Sequence, residues 1–364
     1  MAALPHELTI NILCHLSVKD LLRYKCVSKR WCSSIDNPDF IKHHLSHSLK
    51  TNTNHSLLLR HCGYHFFSVN YDSLKTTQTL KYPLGEPKKT LRILGSCNGL
   101  LALENDNQRI FLWNPSTRKS QVLPSTEIGL TGFTCYGFGY DPISDDYKVV
   151  RMVQSDKDYS GHCRYGAEVY SLRSNCWRRI KNVCFYLQLN KRFGFLANNA
   201  IHWRGFKTPQ SGKESLAGFD LASEEFRSVE FPDFCLDEPF WFGIEAMGGY
   251  LCLSAVHSEL GDIVADVWIM KEYGVKESWI KLISWNQPHY IPSVVVPLAF
   301  SKNGKKVLFN IGYKWFSFGE RDKFVWYDVG SERVENVEIR GLPSKFDVHL
   351  YVESLVPLNS NAQQ

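Results

Sequence analysis

His43 and His47, with His44 adjacent, invite a metal-binding reading, because residues four apart share one face of a helix and neutral imidazoles ligate zinc. No third ligand follows at a usable spacing, so a solvated helix face is the better reading and no metal is expected. Gly137-Phe138-Gly139 is a fragment of a dinucleotide fingerprint. No helix pattern follows it to turn backbone N–H groups toward a phosphate, and it reads instead as a strand with close backbone packing. Neither a Gly-x-Ser-x-Gly elbow nor a phosphate-binding lysine loop occurs. Glycoside cleavage needs two converging carboxylates, whereas the acidic pairs Asp145-Asp146 and Glu224-Glu225 read as turn residues. Eleven cysteines are scattered without a Cys-x-x-Cys pair. That usage points to reduced thiols in the cytoplasm or nucleus. These residues assemble no catalytic set and call for no cofactor.

Charge gives a second exclusion. The 42 basic and 37 acidic residues are interleaved, leaving a mild formal charge of +5. Lys19, Arg23, Lys25, Lys29 and Arg30 have a spacing like that of a helix-turn-helix, which makes DNA the natural competitor. They are spread around the helices, beside a long apolar stripe that suits protein docking better, so no nucleic-acid partner is expected. No apolar run is long enough to span a bilayer, and Met1-Ala2-Ala3 lacks the pattern of a signal peptide. At 364 residues the chain is expected to form two domains, a small helical head and a larger body.

The head reads as three short helices. Leu8, Ile12 and Leu16 fall at i, i+4 and i+8, with Pro5 at a first helical position. Ser17 is an N-cap with Asp20 three residues on, and Val18, Leu21 and Leu22 form the buried side of the second helix. Ser28 caps a third helix with Trp31 and Ile35 on one face, and Asn37-Pro38-Asp39 breaks it. Helices this short cannot bury their own apolar surface. The segment resembles the F-box, the trihelical adaptor of cullin-type ubiquitin ligases, in Leu4-Pro5, Glu7-Leu8, Ile12-Leu13, Leu16, Val18 to Arg23 and Cys26 to Trp31. Ser17 stands where that family often has proline. The resemblance implies that Leu4, Pro5, Leu8, Ile12, Leu13, Leu16, Val18, Leu21, Leu22, Val27 and Trp31 dock a Skp-type adaptor, some of them also packing the head. Residues 1–45 are expected to suffice for that docking.

From about residue 57 the period changes to alternation, with strand-length runs between turns. A tight turn before a hydrophobic strand recurs at Asn98-Gly99, Asp145-Asp146, Asn198-Asn199, Gly248-Gly249 and Asn303-Gly304. An aromatic strand end before a polar turn recurs at Trp113, Tyr170, Phe219, Trp268 and Tyr327. Both markers repeat at about 50 residues, the length of a kelch-like blade. Strands at Leu57–Leu59, Phe66–Val69 and His349–Leu355 are left over, and joining them in one sheet would complete a sixth blade. The expected fold is a small all-α head followed by an all-β propeller, kelch-like and six-bladed. Its divisions are 1–45 for the head, 46–56 for a linker, 57–358 for the propeller and 359–364 for a tail.

This body resembles the F-box-associated domain of plant F-box proteins, including the S-locus group. The resemblance rests on Ser96-Cys97-Asn98-Gly99-Leu100, Trp113 to Arg118, Gly137 to Pro142 with Asp146 to Val150, Glu168 to Leu172, Asp266-Val267-Trp268 and Tyr351 to Leu355. It implies a non-catalytic subunit of an SCF-type ubiquitin ligase, which meets a cullin and a RING subunit through the adaptor and recruits a protein target through the propeller. A propeller scaffold without ubiquitin transfer is the alternative. Strand direction sends the long connections to one end of the sheets, which places Phe133, Tyr159, Arg164, Tyr186, Phe240, Trp241, His289, Tyr290 and Trp315 as candidate target contacts. Aromatics that cap blade cores are the competing reading for these residues.

Overall fold

The computed structural model describes residues 5–81, 90–126, 132–155, 165–181, 183, 186–187, 193–206, 214–232, 241–259, 262–287, 294–312 and 321–358. Two compact units share the chain. One comprises Met1–Leu123, Ile339–Leu342 and Asp347–Gln364, and the other Pro124–Glu338 and Pro343–Phe346.

The first unit opens with four helices rather than three: α1 (His6–Cys14), α2 (Val18–Tyr24), α3 (Lys29–Asp36) and α4 (Pro38–Thr51). Ser17 and Ser28 cap as expected, accepting the backbone N–H of Asp20 and of Trp31. Asn37 explains the additional helix. Its Oδ1 accepts from the N–H of Asp39 (2.8 Å) and of Phe40 (3.3 Å), and Pro38 follows at the first helical position, so the residues that stop α3 also start α4. Helix α4 ends at Asn52, whose φ of 54° is left-handed, and the first strand begins at His55. The expected linker of 46–56 is therefore mostly helix end and strand start.

Two sheets complete this unit. β1 (His55–His61), β2 (His65–Asn70) and β3 (Gln78–Leu80) form one with the last strand of the chain. β4 (Leu91–Cys97), β5 (Leu100–Asn105), β6 (Ile110–Asn114) and β7 (Lys119–Val122) form the other. Leu58, Phe66, Leu91, Ile93, Leu101, Leu103, Phe111, Trp113 and Tyr351 pack as their common core.

The second unit holds four sheets. β8 (Gly132–Asp141), β9 (Asp146–Ser155), β10 (Tyr165–Ser171) and β11 (Cys176–Ile180) make the first. In the next, β12 (Tyr186–Leu187) and β13 (Phe195–Ala197) both pair with β14 (Ala200–Phe206), followed by β15 (Glu214–Asp220) and β16 (Phe226–Val229). Then come β17 (Trp241–Met247), β18 (Tyr250–Glu259), β19 (Asp262–Met270) and β20 (Trp279–Gln287). β21 (Val294–Phe300), β22 (Lys306–Gly312), β23 (Lys323–Asp328) and β24 (Val334–Val337) are the last sheet. β25 (Asp347–Val352) returns to the first unit and pairs antiparallel with β1, from His55↔Val352 to Arg60↔Asp347. These are the six blades of a β-propeller, with both chain ends in one blade as expected.

The two repeated markers occupy equivalent places. Trp113, Tyr170, Phe219, Trp268 and Tyr327 all lie on the third strand of their sheets. The tight turns join first and second strands and need left-handed backbone: φ is 51° at Asn98, 53° at Asp145, 53° at Asn198 and 59° at Gly248. A third regularity follows the aromatic. Asn114, Asp220 and Asp328 each accept two backbone N–H groups two and three residues on, and the turn closes with positive φ at Arg118, Glu224 and Glu332. Asn70 and Leu74 build a turn of the same kind in the first sheet, where Val69 replaces the aromatic.

Candidate functional site

The head sorts its apolar residues into two classes. Leu13, Cys14, Val18, Leu21, Ile35 and Phe40 are buried together, while Leu16, Leu22 and Trp31 are half-buried against them. Leu8 and Ile12, one turn apart on α1, remain 51% and 53% exposed, and Val27, between α2 and α3, is 61% exposed. Pro5 is exposed at the start of α1, and Tyr24 lies edge-on to Trp31 at 5.6 Å. Of the residues expected to dock an adaptor, Leu13, Val18 and Leu21 have no surface to offer and serve the head's interior. Leu4 lies outside the described residues. What remains outward is Pro5, Leu8, Ile12 and Val27, and Tyr24 joins them. Its signal was present in the sequence, as an aromatic off the Val18–Leu21 stripe. Fully burying one such side chain stabilises a complex by about 1.5–3 kcal/mol, so three or four anchors suffice for specific docking.

The chemistry-bearing residues of the head are engaged locally. The solvated-face reading fails for His44, which is buried: it donates from Nε2 to the Leu16 carbonyl (2.9 Å), and burial pulls its pKa down. His43 Nδ1 lies 3.5 Å from Cys14 Sγ, and the rings of His47 and His15 meet edge-on at 4.6 Å. Among the described residues no cluster of three or more His, Cys, Asp or Glu side chains could hold a metal ion. Arg23 pairs with Asp20 and Lys25 with Asp36, which removes two of the five cations from any basic stripe.

In the blades, the most distinctive residues join strands to one another. Gly137 and Gly139 lie on β8, where a Cβ would come within 2.4 Å of Ile201 and 2.6 Å of Leu221 respectively. They are close-packing glycines, as the strand reading expected. Lys148 is buried on β9 and bonds Asp141 (2.9 Å), Glu224 (2.9 Å) and the Leu221 carbonyl (2.6 Å). Burial alone would raise the Asp141 carboxyl, but hydrogen bonds from Lys148, Ser144 and the Ile143 N–H outweigh it and hold the pKa low. The buried Asp266 is likewise fixed between Lys281 (2.8 Å) and His257 (3.2 Å). Ser254 cannot complete a hydrolytic triad with that pair. It sits opposite Val267 in the ladder, on the other face of β18 from His257.

The expected target contacts fare differently. Phe133 is half-buried against the core of Cys135, Val150, Met152 and Trp203. Tyr186 and Trp241 belong to strands β12 and β17 rather than to connections. Tyr159, Arg164, Phe240, His289, Tyr290 and Trp315 lie outside the described residues.

Residues 1–43 match the F-box domain family, and residues 52–359 match the family described as F-box associated beta propeller domain. The chain is a plant F-box protein. Its relatives include F-box protein CPR1 of Arabidopsis thaliana, 34% identical over 381 residues, covering 98% of this chain and 89% of that protein. F-box protein At4g22390 of the same plant is 30% identical over 382 residues, covering 98% and 90%. Among solved structures, the lectin of Aleuria aurantia resembles this F-box protein with a TM-score of 0.44 and 10% identity, over 80% of this chain and 94% of the lectin, too remotely to speak to function. An F-box implies binding to a Skp-type adaptor, and the F-box together with the propeller supports a substrate-adaptor role. The outward Leu8, Ile12 and Val27 lie within the matched F-box.

Proposed function

We propose that this F-box protein is the substrate-recognition subunit of an SCF-type ubiquitin ligase in the cytoplasm or nucleus. The exposed apolar side chains of Pro5, Leu8, Ile12, Tyr24 and Val27 on an F-box head carry this reading, since a small helical head that keeps such side chains in water has a protein partner for them. Through the Skp-type adaptor the chain meets a cullin and a RING subunit, and the propeller holds the target. The protein's contribution is proximity and orientation. Holding a target lysine near the charged conjugating enzyme raises its effective concentration without any bond-making by this chain. The eight described cysteines are free thiols, in keeping with a reducing compartment.

Targets are held, in this proposal, by the connections between second and third strands and between successive sheets. Proximity labelling under proteasome inhibition, with Leu8→Asp as control, identifies candidates. Wild type is expected to accelerate ubiquitination and turnover of a captured target, and Leu8→Asp to capture it without turnover. Alanine at Tyr290 should weaken capture with adaptor binding intact. Capture that never leads to ubiquitination in the reconstituted ligase would leave a binding scaffold as the function.

A further inference from the structure

The head does not complete its own core. Leu355, from the other end of the chain, is 6% exposed and packs with Leu13, Cys14, Val18, Leu21, Ile35 and Phe40. α1, α2 and α3 span nine, seven and eight residues, too short to hold as isolated helices, so their order depends on that shared core.

The segment that carries Leu355 is tied down on three sides. The Glu353 N–H donates to the Asn54 carbonyl just after α4 (2.7 Å), and Ser56 Oγ on β1 donates to Glu353 Oε1 (2.9 Å). Ser354 Oγ donates to the Asn98 carbonyl in the β4–β5 turn (2.8 Å). Asn114, at the end of β6, donates from Nδ2 to the carbonyls of Ser354 (3.1 Å) and Val356 (2.9 Å). Gly99 leaves the room this needs. At φ +82° a Cβ there would lie 2.2 Å from Ser354 Oγ and 2.6 Å from the Val352 carbonyl. The distinctive Asn98-Gly99 and Trp113-Asn114 motifs thus converge on one short stretch, whose next side chain enters the helical head.

We propose that Leu355 is a positioning residue for adaptor docking. By filling the core beneath α1 and α2 it sets the outward Leu8 and Ile12 on α1 and Val27 after α2, and it fixes them relative to the two sheets of the same unit. Docking by this chain therefore requires its C-terminal segment, and residues 1–45 do not form the complete docking module. The inference rests on the docking function proposed above.

The test uses the full chain with Leu355→Ala and Leu355→Met, a purified Skp-type adaptor, calorimetry, and amide hydrogen exchange on the free proteins. Leu355→Ala is expected to weaken adaptor binding about tenfold or more and to speed exchange in α1 to α3, with the second unit as protected as in wild type. Leu355→Met, which conserves volume, should restore both. Wild-type affinity in Leu355→Ala, or protection lost to the same degree in both units, overturns the proposal. Failure of the wild type to bind the adaptor would instead strike the docking reading, and unchanged exchange in the head of Leu355→Ala would then overturn the positioning role by itself.

Discussion

Leu8 and Leu58 are the same side chain in two regions of one molecule, yet Leu8 is 51% exposed on α1 and Leu58 is fully buried on β1. The contrast extends beyond this pair. The head carries more apolar residues than its fold consumes, and the surplus faces water. Among the blades, the signature residues are consumed: Gly137, Asp141, Lys148 and Asn114 each serve a contact between strands or segments of their own unit. In the head, then, excess marks function. In the blades a motif marks scaffold.

This comparison can be broken most directly in the head. Leu8→Asp should reduce adaptor affinity roughly a hundredfold or more, since a carboxylate buried without a partner is costly, while leaving the melting temperature unchanged. Leu21→Ala should do the reverse in order of cause, destabilising the head by about 2–5 kcal/mol and weakening docking only through that loss. Calorimetry and thermal denaturation of the two variants decide the matter, and equal destabilisation by both would erase the distinction between face and core.

Lys148→Met probes the blades. It strands the buried carboxylate of Asp141 without its cation and leaves the half-buried Glu224 to Arg178 alone, and a loss of about 3–5 kcal/mol is expected in urea denaturation. Adaptor affinity should stay as in wild type.

A smaller effect comes from His202. It is fully buried on β14, donates from Nδ1 to the Phe195 carbonyl and accepts the Tyr273 hydroxyl at Nε2, and burial pulls its pKa down to about 4. The unfolded chain therefore binds this proton first. Its contribution is fully present above pH 6.5 and is lost as pH falls toward 4, a change of about 3 kcal/mol at most. Urea midpoints measured across that window should fall with pH, and the slope attributable to this site should vanish in His202→Asn.

Much of the fold was legible because two local markers kept one period. The markers by themselves do not reach the sheet holding both chain ends, since Val69 replaces the aromatic while Asn70 keeps the turn, and its strands stood out only as the ones left over. The start of helix α4, a stretch that the spacing of His43 and His47 already marks as helical, was hidden by Asn37-Pro38, which stops one helix and caps the next. Leu13, Val18 and Leu21 entered the expected docking list because periodicity marks an apolar stripe without telling which side of a small bundle faces a partner. Leu355 could not be found from spacing at all. Contacts spanning nearly the whole chain leave no local pattern, and only the closing Tyr351-to-Leu355 motif hinted that this stretch mattered.

That distance has a cost during synthesis. Ser56 and Glu353, which bond each other beside the head, are 297 positions apart, and Leu355 is made later still. A ribosome therefore releases all four helices and most of the six sheets before the residue that closes the helical core exists. For that interval Leu13, Val18 and Leu21 lack their final neighbour, and the nascent head exposes apolar surface of the kind that chaperones bind.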